Sequence, residues 1–140
     1  MTSSSASSVA MIKEAKNDLE NQTNALSKIQ KEIGKNHQVR KQYTIQLGEN
    51  ELVIKELDLL GEDDDGVYKL IGPVLVKQDL AEAKANVRKR IEYIEAELNR
   101  LNGTLHDLED KQNNKREVVL RLQQKFQNLQ AGKGLIASGK

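Results

Sequence analysis

The sequence predicts a mainly α fold: a long antiparallel coiled-coil hairpin with one β-hairpin inserted at the bend. Three observations carry that expectation. The apolar share is 37% of 140 residues but only 3% are aromatic, with one Phe, three Tyr and no Trp. A compact enzyme core of this size normally draws on more aromatic volume, so the apolar surface must be aliphatic and spread out. Charged residues make up 31% of the chain and there is one proline, a composition that leaves helices uninterrupted. Long stretches repeat apolar residues at three-four spacing, the signature of a helical seam.

The opening MTSSSASS has neither the basic region nor the apolar core of a secretory signal, and it has no Arg to serve a mitochondrial presequence. Residues 1–8 are expected to be a disordered tail. The first helix is expected over residues 9–60. Ile12, Leu19, Leu26, Ile33, Leu47 and Ile54 share heptad position a, with Arg40 interrupting; Ala15, Gln22, Ile29, Asn36, Tyr43, Asn50 and Leu57 take position d. This is a seam laced with polar residues. Gly61 after Leu60 is a plausible stop.

The second helix, expected over 79–130, is more regular. Its a and d positions run Val87, Ile91, Ile94, Leu98, Leu101, Leu105, Leu108, Gln112, Lys115, Val119, Leu122, Phe126 and Leu129, eleven of the thirteen apolar. Asp79 with Glu82 three residues on makes an acidic version of a capping box. Each helix of about fifty residues would be roughly 75 Å long. The short connection between them forces the rods to fold back, so one chain supplies both strands of the coil. With exits near Asp58 and Asp79, position n faces roughly 137 minus n. Gln22 should therefore lie near Lys115.

The connection reads GEDDDG, VYKLI, GP, VLVKQ, and a β-hairpin is expected over 66–78. Two β-branched, aliphatic runs flank Gly72-Pro73, which suits a two-residue turn with glycine at positive φ. In that register Ile71 faces Val74 and Leu70 faces Leu75. One face carries Ile71, Val74 and Val76; the other carries Tyr68, Leu70 and Leu75. A lone hairpin with two apolar faces and two open edges is marginally stable and prone to pairing with other chains. Val67, Tyr68, Leu70, Ile71, Gly72, Pro73, Val74, Leu75 and Val76 are thus the candidate oligomerisation surface.

Other motifs carry less. Gly134 to Lys140, GLIASGK, approximates a phosphate-binding loop but lacks the following helix and the Ser or Thr for magnesium, and residues 131–140 are expected to be a flexible tail. Asp63, Asp64 and Asp65 lack the alternation and distal glutamate of a calcium loop and read as a solvated turn. His37 and His106 stand singly at outer heptad positions. The sequons at Asn21 and Asn102 have no route to the glycosylation machinery without a signal peptide. Arg88, Lys89 and Arg90, beside Glu92 and Glu95, read as a solvated helix face, with a nuclear address or phosphate contact as the sharper alternative. Without cysteine there is neither disulfide nor thiolate zinc site. No metal, cofactor or catalytic residue is expected. The net charge of +1 offers no bulk attraction to nucleic acid or anionic membrane, no apolar run is long enough to span a bilayer, and the expected compartment is the cytosol.

Helix, hairpin, helix, with LLGEDDDGVYKLIGPVLVKQDLAEAKANV at the bend, resembles the β class of prefoldin subunits over residues 9–130, and VYKLIGPVLVKQDL is the specific part. The resemblance implies a hetero-hexamer of two α-class and four β-class subunits whose hairpins join in β-barrels while the coiled coils hang free. It further implies an ATP-independent chaperone that holds unfolded polypeptides, actin and tubulin among them, and passes them to the cytosolic group II chaperonin. Nothing is implied for residues 1–8 or 131–140.

The residues supply their own reason for placing client contact away from the hairpin. The polar layer of Gln22, Gln112 and Lys115 should weaken the seam, and beyond it sit Ile12, Leu19, Val119, Leu122, Phe126 and Leu129. Fraying would expose them to apolar client segments; the plain alternative is that they close the intramolecular seam. The rival function is a structural coiled-coil adaptor or scaffold, in which the hairpin merely caps the helices.

Overall fold

A computed structural model describes the backbone of residues 2–60 and 67–138, and the side chains of residues 6–60 and 67–132. The element order is α1 (Thr2–Leu59), β1 (Val67–Ile71), β2 (Val74–Gln78) and α2 (Leu80–Ser138). The expected fold class is borne out. Gly61, the acidic turn from Glu62 to Asp65, and Gly66 at the expected start of the hairpin lie outside the described residues.

Both helices run past their expected outer limits. Thr2–Ser8 continues α1 rather than forming a separate disordered tail, and α2 extends through Gly132 to Ser138 rather than ending at 130. The physical reason is that elongation of an existing helix costs little once nucleation is done, and neither segment contains proline. The inner ends match the sequence closely. Leu60 N–H donates to the Leu57 carbonyl at 3.2 Å, a tightened last turn. Ala83 N–H donates to the Asp79 carbonyl at 2.9 Å, which puts Asp79 in the N-cap position one residue before Leu80.

The chain divides into two compact units, Asn36–Thr104 and a unit made of Met1–Lys35 with Leu105–Lys140. In the first, Ile94 and Leu101 of α2 and Leu57 of α1 are buried, together with Ala83. In the second, Ala15 of α1 and Leu108 and Val119 of α2 are buried. Every a and d position named for either helix is buried or half-buried, including the polar Gln22, Asn36, Arg40 and Lys115. Two hydrogen bonds across the seam fall on the expected facing relation. Lys115 Nζ donates to Gln22 Oε1 at 2.6 Å, and Asn36 Nδ2 donates to the Leu101 carbonyl at 3.1 Å.

Candidate functional site: an exposed apolar hairpin

The strands pair antiparallel with Ile71 opposite Val74, Leu70 opposite Leu75, Lys69 opposite Val76 and Tyr68 opposite Lys77. This is the register expected from a two-residue turn. Gly72 has φ 59°, a left-handed conformation that glycine adopts without steric cost and that a β-branched residue resists. The turn therefore pins which side chains share a face.

Six large apolar side chains of the hairpin are exposed: Tyr68, Leu70, Ile71, Val74, Leu75 and Val76, from 44% for Val76 to 68% for Leu70. They occur on both faces. Two strands of five residues leave two outer edges unpaired among the described residues, and such edges are templates for strand addition. Val67 is half-buried and sits with Tyr68 and Leu70 against Val53, Leu57, Ala83 and Val87 around a groove of about 610 Å³.

The helix ends beside the hairpin are joined by charge. Asp58, in the last turn of α1, lies 3.5 Å from Lys84 Nζ and 3.3 Å from an Arg88 guanidinium nitrogen of α2. A carboxylate near a helix C-terminus faces the negative end of the helix dipole, so the two cations offset an unfavourable placement. The groups are partly solvated and the net gain is small. Arg88 is thus engaged within the fold, whereas Lys89 and Arg90 line the groove.

The residues expected to meet client lie in the other unit. Val119 is buried, and Ile12, Leu19, Leu122, Phe126 and Leu129 are half-buried. All six occupy the seam side of their helices. Among the described residues, the exposed large apolar side chains of the same unit are different ones, Val9, Met11 and Leu120, with Leu120 at 63%. Sequence reasoning passed over them because they stand off the a and d positions. A polar bond between Lys115 and Gln22 crosses the seam in this unit, and Gln112 is half-buried one turn away.

Tyr43 at a d position is hydrogen-bonded to the Tyr93 side chain, and that bond holds its hydroxyl above the usual tyrosine range, helped by partial desolvation. The Arg100 guanidinium is likewise raised by its bonds to Glu97, at 3.1 and 2.8 Å. His106 lies 3.7 Å from Asp110 and is solvated, and among the described residues no group of three or more His, Asp or Glu is placed to hold a metal. No described helix is long and apolar enough to cross a membrane.

Comparison with known proteins agrees with the fold. A family model described as a prefoldin subunit, Prefoldin_2, matches residues 20–129. Over 126 residues the chain is 70% identical to Prefoldin subunit 6 of Arabidopsis thaliana, covering 90% of this chain and 97% of that protein. It is 44% identical over 115 residues to Prefoldin subunit 6 of Homo sapiens, covering 82% and 88%. Among solved structures, the prefoldin beta subunit from Thermococcus strain KS-1 superposes with a TM-score of 0.54 at 24% identity, covering 79% of this chain and 90% of that one, a likeness of fold.

Proposed function

Because the chain belongs to the prefoldin subunit family, and is thereby a chaperone subunit that assembles with other prefoldin subunits, we propose its specific role. It is one subunit of a cytosolic hetero-hexamer that captures unfolded polypeptides such as actin and tubulin and passes them, without ATP hydrolysis, to the group II chaperonin. It carries out no catalysis of its own.

The observation that carries the assembly half of this reading is the exposure of six large apolar hairpin side chains on both faces of a two-stranded sheet. Removing such side chains from water stabilises an interface by roughly 1.5 to 3 kcal/mol each when burial is complete. Edge pairing supplies register and the side chains supply energy. Client contact is assigned to Ile12, Leu19, Val119, Leu122, Phe126 and Leu129. Val119 is buried and the other five are half-buried, so contact requires local opening of the seam. Helix ends open at low cost, and the Gln22 to Lys115 layer marks where a seam of polar residues gives way. A single opened end binds weakly, but several ends on one assembly raise effective concentration and hold a client by avidity.

The test uses two variants of the full chain, mixed with the other prefoldin subunits of the same organism. Leu70→Lys with Leu75→Lys sets two like charges opposite each other and should abolish the hexamer while the coil stays helical. Phe126→Ser with Leu129→Ser should leave hexamer mass unchanged and reduce suppression of light scattering by diluted, denatured actin. Full assembly of the first variant would remove the hairpin from the interface. Undiminished protection by the second would place client binding on other residues or subunits.

A further inference from the structure

We propose that Asp58 is a positioning residue for assembly: by pairing with Lys84 and Arg88 it holds the end of α1 against the start of α2, and so fixes the direction in which the hairpin presents its apolar faces and open edges. The inference rests on the assembly reading above and deepens it, from the surface that is joined to the side chains that aim it.

Among the described residues, the ion pairs that cross from one helix to the other all meet at Asp58, 3.5 Å from Lys84 Nζ and 3.3 Å from an Arg88 guanidinium nitrogen. The remaining pairs, Arg100 with Glu97, His106 with Asp110 and Arg121 with Glu117, each join residues three or four apart within α2. A carboxylate in the last turn of α1 runs against that helix's own dipole, and the same turn holds no basic residue to offset it. The compensation comes from the other helix.

The side chain of Asp58 is 48% exposed, and pairs so solvated contribute little to stability. Their effect lies in what stands beside them. Leu57, Ala83 and Val87, each the residue immediately before a member of this clasp, line the groove that Val67 and Tyr68 of the hairpin also line. Leu57 and Ala83 are buried, at 7% and 5%. Both helices therefore build the seat of the hairpin, and the clasp sets how far apart they stand.

Little else aims the hairpin. Asp79 alone separates β2, which ends at Gln78, from α2, which begins at Leu80. Among the described residues no backbone hydrogen bond ties either strand to a helix. A hairpin free to pivot about Asp79 must lose that freedom when its edges pair, whereas a seated one has lost it already, so seating strengthens assembly without adding a contact.

The experiment uses the full chain with Asp58→Asn, which keeps the shape and removes the charge, and with Lys84→Ser/Arg88→Ser, which removes the clasp from α2. A third chain, Asp58→Arg/Lys84→Glu/Arg88→Glu, rebuilds it with the charges reversed. Each is mixed with the other prefoldin subunits and diluted while solution mass is followed. Loss of two weak pairs should raise the assembly midpoint roughly fivefold, with helical melting of the isolated chain nearly unchanged, and reversal should return it to within about twofold of wild type. Orientation is read separately in the isolated chain. The sequence has no cysteine, so Lys55→Cys/Lys77→Cys takes two nitroxide labels at exposed positions, one on α1 and one on β2, and pulsed dipolar spectroscopy gives the distribution of distances between them. That distribution should broaden in Asp58→Asn and in the serine chain and narrow again on reversal.

A wild-type midpoint for Asp58→Asn would overturn the proposal. So would a raised midpoint with an unbroadened distribution, which would make these charges direct contacts to a neighbouring subunit, or a reversed chain whose midpoint stays high. Should the serine chain fail to fold, Asp58→Asn still decides. Normal assembly of Leu70→Lys/Leu75→Lys would sink the hairpin reading itself; this inference fails alone when that chain does not assemble and Asp58→Asn assembles as wild type.

Discussion

Asn36 is buried to 6% exposure in the seam, and its side-chain amide donates to the backbone carbonyl of Leu101 at 3.1 Å while its own Oδ1 has no protein partner. The bond crosses from one helix to the other at a d position, and only one register brings Asn36 opposite Leu101. A half-satisfied buried amide costs stability and specifies alignment.

Replacing Asn36 with Leu should therefore raise coil stability by about 1 to 2 kcal/mol, since the desolvation cost of the orphaned oxygen disappears and apolar contact replaces it. Thermal melting of the isolated chain, followed by circular dichroism, checks this. Lower stability in Asn36→Leu would show that the bond to Leu101 contributes more than the unpartnered oxygen costs.

Gly103 lies inside α2, and a Cβ built there meets nothing within 4 Å beyond its chain neighbours and the local backbone of its own helix. Glycine in a helix interior is about 0.8 to 1 kcal/mol less favourable than alanine. Gly103→Ala should stabilise the coil by close to that amount in the same melting assay, without altering assembly. A loss of hexamer would reveal that softness at this point matters to the assembled state.

Gly72 and Pro73 occupy the same turn but bear unequal constraints. Gly72→Val forces a β-branched residue to φ near 59°, whereas Pro73→Ala keeps an accessible conformation. Hexamer yield should fall much further for Gly72→Val. Equal yields would place the determinant of strand register outside the turn.

The hydroxyl of Tyr43 titrates above its ordinary range because of its bond to Tyr93. The unfolded chain then releases this proton first as pH rises, so bound protons are more numerous in the folded state and stability declines with pH. The contribution is fully present below about pH 10, the unfolded tyrosine value, and is lost as pH rises through the higher folded value. Tyr43→Phe should flatten the fall in melting temperature on the alkaline side and leave neutral pH behaviour nearly unchanged. An unaltered alkaline slope would refute this link.

The sequence alone determined the fold class, the seam and the hairpin register, because each follows from a short-range period. Heptad spacing selects Ile12 through Leu57 and Val87 through Leu129 as one face of each helix, and a two-residue turn at Gly72 forces Leu70 opposite Leu75. Even Gln22 facing Lys115 follows once the turn fixes where both helices begin. Tertiary structure decided what depends on a second surface: that Arg88 is engaged by Asp58, that Tyr43 meets Tyr93, and that Phe126 and Leu129 are half-covered. Ile45, Leu52 and Leu59 also stand seven residues apart, but spacing does not say which of two apolar stripes the other helix will cover. Burial is a property of pairs of surfaces, and only their packing left these three side chains in water.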